Sequence, residues 1–170
     1  MNYFELFEIP VQLKVDKAAL PKKYFELSRK YHPDYFVNEN AEARADVLEK
    51  SAMLNKALKT FQQPDETIKY VLQLKELLKE EEKYELPPDF LMEVLEINEE
   101  LMEMGSDKTL LPNLELRIEQ LEEEIYESVK EIVEHYQESV TTKKELLQVK
   151  EYYYKKKYLH RIRQQLTVKA

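Results

Sequence analysis

One glycine, Gly105, serves the whole of this 170-residue chain. Sheet turns, phosphate loops and dinucleotide-binding loops rely on the backbone freedom that glycine supplies, so little room is left for any of them. Helical spacing takes their place. Leu20, Tyr24, Leu27 and Tyr31 recur at i, i+4, i+7 and i+11. Val47, Leu54, Leu58 and Phe61 make a second such face, with Ala52 and Ala57 allowing close approach. The expected fold class is all-α.

Between those two helices stands Tyr31-His32-Pro33-Asp34-Tyr35-Phe36. Pro33 cannot continue a helix and pushes His32 towards extended backbone, so the first helix should stop at about Tyr31. Residues 33–40 suffice to reverse the chain. The two helices are then expected to lie antiparallel, with His-Pro-Asp exposed at the tip and Asp34 available to an external cation.

Elsewhere Asn2 should cap a short opening helix holding Tyr3, Phe4, Leu6 and Phe7. Asp16 is a credible N-cap for the second helix. Pro21 conflicts with that start, so the helix either begins nearer Leu20 or has a distorted first turn. After Gln62-Gln63-Pro64-Asp65 the spacing of Ile68, Val71, Leu74 and Leu78 predicts a helix running on to Leu78. Residues 79–88, charged and ending in Pro87-Pro88, read as a linker. Asp89 should open an amphipathic helix that Gly105 ends. A long seam, Leu114, Ile118, Leu121, Ile125, Val129, Ile132 and Tyr136, predicts one continuous helix. Thr141 or Thr142 then restarts the chain into a last helix carrying Leu146, Val149, Tyr153, Leu159, Ile162 and Leu166. Three such helices make an antiparallel bundle.

Charge is segregated. Residues 80–138 hold four basic against twenty acidic side chains, and residues 139–170 hold nine against two. A basic last helix packed beside acidic ones accounts for this without nucleic acid. With no cysteine, disulfides and thiolate chemistry are excluded. His32, His135 and His160 share no metal-ligand spacing, and no nucleophile motif is present, so neither catalysis nor a cofactor or metal is expected. No apolar run approaches membrane-spanning length, and the N-terminus lacks a secretory pattern. The expectation is a bacterial cytoplasmic protein that does not engage a membrane.

The first 78 residues resemble a J domain, the Hsp70-activating module. The resemblance rests on a basic helix, then His32-Pro33-Asp34, then a helix bearing Asn55-Lys56-Ala57. It implies that His32, Pro33 and Asp34, supported by Lys22, Lys23, Arg29 and Lys30, contact an Hsp70-class chaperone in its ATP state. Tyr35 stands where many J domains have Lys, and Thr67-Ile68 where Arg-Ala is common.

The helix after Asp89 has more apolar residues than one core face requires. Phe90, Val94, Ile97, Leu101 and Met104 form the stripe; Leu91, Met92 and Leu95 lie off it, beside Glu96, Glu99 and Glu103. A J domain, an acidic three-helix bundle and the run Phe90-Leu91-Met92-Glu93-Val94-Leu95-Glu96 together resemble the HscB family of iron–sulfur cluster co-chaperones. That family has an N-terminal J domain and a C-terminal antiparallel three-helix bundle, placed here at 1–78 and 89–170. The resemblance implies that Leu91, Met92, Leu95, Glu96, Glu99, Glu103 and Tyr158 hold the iron–sulfur scaffold protein. Tyr158 is taken from Tyr158-Leu159-His160-Arg161-Ile162, and Tyr154, one turn away, is the fallback. The chain would stimulate the ATPase of its Hsp70 and deliver the scaffold to it. The competing readings are a J-domain adaptor for a different client and a helical interaction protein outside the Hsp70 system.

Overall fold

The computed structural model describes residues 1–169, and among them there are helices and turns but no strand. The chain separates into two compact units: Met1–Lys75 with Tyr136–Val140, and Glu76–His135 with Thr141–Ala170.

The first unit opens with helix α1 (Tyr3–Leu6), held by a capping box. The Asn2 side chain accepts from the Glu5 N–H at 2.8 Å, and the Glu5 carboxylate takes the Asn2 N–H at 3.0 Å. Helix α2 (Leu20–Lys30) begins at Leu20 with Pro21 in its first turn, where a missing N–H costs nothing. Asp16 is therefore not its cap; its carboxylate accepts from the Ala18 N–H in the preceding turn.

Helix α3 (Ala41–Phe61), capped by Asn40, packs antiparallel to α2. Two contacts set the direction. The Tyr24 hydroxyl donates to Asn55 at 2.7 Å, while Tyr31, further along α2, meets Lys50, earlier on α3. Helix α4 (Pro64–Leu74) stops at Leu74, short of the expected Leu78. Glu76 takes left-handed backbone (φ 59°), and Leu78 is buried outside any helix. Apolar spacing persists there, but the backbone no longer follows it.

The core of this unit is aromatic at one end. Phe61 lies 5.0 Å from Phe4 and 5.2 Å from Phe7, ring to ring, and Tyr3 stacks on Tyr70 at 4.3 Å. Phe61 is 1% exposed. Phe61→Ala should lower this unit's stability by about 3–5 kcal/mol, read as a fall in urea midpoint by circular dichroism. An unchanged midpoint would contradict the packing.

In the second unit, Pro88 rather than Asp89 opens helix α5 (Pro88–Met104), and Gly105 ends it at φ 55°. Helix α6 (Leu111–Glu127) buries Leu114, Ile118, Leu121 and Ile125 and then stops. The Ser128 hydroxyl donates to the Ile125 carbonyl at 2.7 Å, and Val129 leaves helical geometry at φ −121°. Helix α7 (Lys130–Glu134) restarts with a shifted phase, burying Val133 where the uninterrupted seam would bury Ile132. The single long helix expected over this stretch is thus two. Tyr136 lies with the first unit, donating to Glu138, whose carboxylate also meets Lys75.

Helix α8 (Lys143–Lys169) starts from a Thr142–Glu145 capping box. It buries Leu146, Val149, Tyr152, Tyr153, Leu159, Ile162 and Leu166 against α5 and α6. The stretch 79–88 is not a free tether. Tyr84 stacks on Tyr154 at 4.5 Å, and Glu82 accepts from the Tyr154 hydroxyl at 2.9 Å and pairs with Lys150 at 3.1 Å.

Helix α8 is basic because α6 is acidic. Glu122 receives Lys156 at 2.9 Å and Arg163 at 2.6 Å. Burial alone would raise the Glu122 carboxyl, but these two cations more than offset it and hold it below its ordinary 4.5. A carboxyl depressed on folding contributes stability above its unfolded value and loses it as pH falls through the lower folded one. The bundle should therefore weaken progressively as pH drops below 4.5, and Glu122→Gln should flatten that loss while lowering stability at neutral pH. Denaturation midpoints across the acid range would check this. An identical acid slope in the variant would exclude Glu122 as a source.

Candidate interaction surfaces

The first surface grows from the stop of α2. His32 has extended backbone (φ −71°, ψ 126°), and Pro33–Phe36 form one turn of 3-10 helix. The His32 side chain is 51% exposed and that of Asp34 is 86% exposed. His32 Nδ1 accepts from the Asp34 N–H at 3.3 Å, which places the neutral ring's proton on Nε2. The Tyr35 N–H donates to the His32 carbonyl, and the two rings meet edge to face at 5.9 Å. The Asp34 carboxylate stays largely exposed, with one oxygen 3.6 Å from His32 Nδ1.

The four cations of α2 do not behave alike. Lys22 and Arg29 are exposed, Arg29 lying over the Phe25 ring. Lys23 and Lys30 both reach Glu8, at 3.3 and 3.7 Å, so their charge is partly met within the fold. Glu8 itself sits at φ 57°. Sequence reading passed over Glu8. It also passed over Phe25 and noted Tyr35 only as a departure from the common Lys; the two large rings are 65% and 72% exposed. Both rings line a hollow of about 310 Å³ with Tyr24, Ser28, Arg29 and His32. Exposed aromatics beside a turn motif leave no periodic signal, although Phe25 is visibly off the apolar face of α2.

The second surface lies on α5 and α8. Phe90, Val94, Ile97, Leu101 and Met104 are buried, which turns Leu91, Met92 and Leu95 outward, at 41%, 66% and 56% exposure. Glu99 and Glu103 are exposed beside them. Glu96 is engaged: Arg117 of α6 meets it at 3.2 Å and meets Glu100 at 2.5 Å. Tyr158 is half-buried, its ring edge-on to Phe90 at 6.5 Å. Tyr158, Tyr154 and Leu91 line one cavity of about 540 Å³. The phenol of Tyr154 is occupied; burial first, and then its bond to Glu82, push it well above its ordinary value. The structure thus brings Leu91 and Tyr158 together and places Arg117, unforeseen, against Glu96. Among the described residues no group of three His, Cys, Asp or Glu is placed to hold a metal ion. Among them, too, no helix is long and apolar enough to cross a membrane.

Residues 86–167, which contain this second surface, match the family model for the HSCB C-terminal oligomerisation domain. The co-chaperone protein HscB homologue of Photobacterium profundum is 34% identical over 106 residues, which is 62% of this chain and 62% of that one. The homologue of Vibrio vulnificus is 36% identical over 110 residues, 63% and 64% of the two chains. A crystal structure of human co-chaperone protein HscB superposes with a TM-score of 0.78 at 27% identity, over 99% of this chain and 82% of that one. Residues 86–167 thus match the C-terminal domain of the HscB family, and the chain as a whole shares the fold of a solved HscB. The Vibrio cholerae chaperone HscB, at 24% identity, shares the fold, with a TM-score of 0.64 over 98% and 99% of the two chains. The fold is accordingly the HscB one, a J domain and a helical C-terminal bundle. The matched stretch spans about three fifths of the length of these curated HscB relatives.

Proposed function

We propose that this chain is an HscB-family co-chaperone in iron–sulfur cluster assembly. The His32-Pro33-Asp34 turn stimulates the ATPase of an ATP-bound Hsp70-class chaperone, supported by Lys22, Lys23, Arg29 and Lys30. The α5–α8 face, through Leu91, Met92, Leu95, Glu96, Glu99, Glu103 and Tyr158, holds the iron–sulfur scaffold protein and delivers it to that Hsp70. The chain would itself catalyse nothing and would work in the bacterial cytoplasm.

One observation carries the reading. Leu91, Met92 and Leu95 point away from a core already filled by the other stripe of α5, within the segment matched by the family model. Apolar side chains left exposed together beside carboxylates have no role in their own bundle and suit a protein partner. Holding the scaffold on a chain that also docks Hsp70 raises its local concentration to about the millimolar range for short linkages. The experiment is a paired one: capture of purified scaffold protein by the immobilised chain, and turnover of the cognate Hsp70 with and without it. Capture together with faster ATP hydrolysis is expected. A chain that captures no scaffold would overturn the client, and one that stimulates no Hsp70 would overturn the co-chaperone role.

A further inference from the structure

The six cations between Lys150 and Arg163 of α8 fall into two groups. Lys150 is paired with Glu82, Lys155 with Glu151, and Lys156 and Arg163 with Glu122. Lys157 and Arg161, one helical turn apart and both exposed, make no ion pair among the described residues; Lys157 lies over the Tyr154 ring at 5.9 Å. Both line the cavity of about 540 Å³ whose apolar wall is Leu86, Leu91, Tyr154 and Tyr158. Two carboxylates share that cavity. Glu82 is already satisfied by Lys150 and Tyr154, and Glu85 pairs with neither cation. Arg161 also borders the next hollow along α5 and α8, of about 810 Å³, which Leu101, Met102 and Val168 line.

We propose that Lys157 and Arg161 form an anion seat within the scaffold-binding face. They would take a side-chain carboxylate of the scaffold protein, while a neighbouring apolar side chain of the same segment enters between Leu86, Leu91, Tyr154 and Tyr158. This rests on the scaffold-holding role proposed above and adds a charge rule to it. An unpaired guanidinium offers a planar fork that fits a carboxylate with two parallel hydrogen bonds, and the lysine adds a point charge one turn away. On α5, outside the lining of both hollows, Glu99 and Glu103 are exposed and Glu96 is paired at the surface with Arg117 of α6. The bound surface of the scaffold must then be segregated too, with cations facing α5 and a carboxylate facing α8. Such two-signed complementarity sets the direction in which the partner docks and steers its approach.

The test titrates purified scaffold protein against the wild-type chain, Leu91→Ala/Leu95→Ala, and Lys157→Gln/Arg161→Gln, each at low and high salt. Both cations are exposed and bridge nothing in the fold, so the Gln variant should melt as the wild type does. Its affinity should fall roughly tenfold at low salt, and its salt dependence should be flatter, since one charge-assisted contact is gone. Charge reversal, Lys157→Glu/Arg161→Glu, should weaken binding further. If the leucine variant loses binding while the Gln variant matches the wild type at both salt levels, the anion seat is wrong and the scaffold face stands. If the wild type binds no scaffold, the face fails and the seat with it.

Discussion

Asp34→Asn should reduce stimulation of the cognate Hsp70 ATPase to background while leaving the fold untouched. Asparagine keeps the size of the side chain and removes only its charge. At 86% exposure, with only His32 Nδ1 near its carboxylate at 3.6 Å, Asp34 contributes little to the folded state. What remains to lose is a charge-assisted contact with a cation of the partner, worth about 1.5–3 kcal/mol, or at least a tenfold drop in the productive complex. The turn concentrates that effect on one group. Pro33 fixes the backbone, His32 Nδ1 accepts the Asp34 N–H, and the carboxylate is aimed without being enclosed. Turnover measured with saturating Hsp70, alongside a melting curve, separates the outcomes. A variant that melts normally and still stimulates fully would remove Asp34 from the proposed contact.

The second large effect belongs to Leu91 and Leu95. Together, Leu91→Ala and Leu95→Ala should weaken scaffold capture by about 2–3 kcal/mol, roughly 30- to 150-fold, because each leucine loses most of the apolar area that docking would bury. Neither side chain belongs to the core of α5, so thermal stability should barely move. That contrast gives the experiment its meaning. The neighbouring Val94 and Ile97 are each 1% exposed, and truncating them would damage the bundle itself. Isothermal titration with the scaffold protein reads the affinity directly. Undiminished affinity in a well-folded double variant would move the docking site off α5.

The elements legible in the sequence were those with a local cause. The end of α2 follows from Pro33, the end of α5 from Gly105, and the start of α1 from its Asn2 cap, each a steric or hydrogen-bonding rule acting within a few residues. That Leu91, Met92 and Leu95 lie off the main stripe of α5 was legible too, but spacing left open whether a second neighbour buries them. Helix α5 packs on both α6 and α8, and the three still face outward. The two misread helix lengths share one cause, which is that apolar spacing continues where the helix does not. Leu78 is buried beyond the end of α4, and Val129 is buried between α6 and α7 in non-helical backbone. A buried side chain satisfies the periodic pattern whether or not its backbone is helical.

Sequence alone determined the all-helical class, the reversal at His32-Pro33-Asp34, and the main apolar stripe of α5. Backbone propensity and helical period act over a few residues and are written in order along the chain. Tertiary structure alone decided which charges are already spent. It set Glu96 against Arg117, Lys23 and Lys30 against Glu8, and Glu82 against Lys150 and Tyr154, and it left Lys157 and Arg161 open beside Leu91. Ion pairs and side-chain hydrogen bonds join residues up to 72 positions apart through space, so no local rule assigns them, and a charge can recruit a partner only where the fold leaves it unpaired.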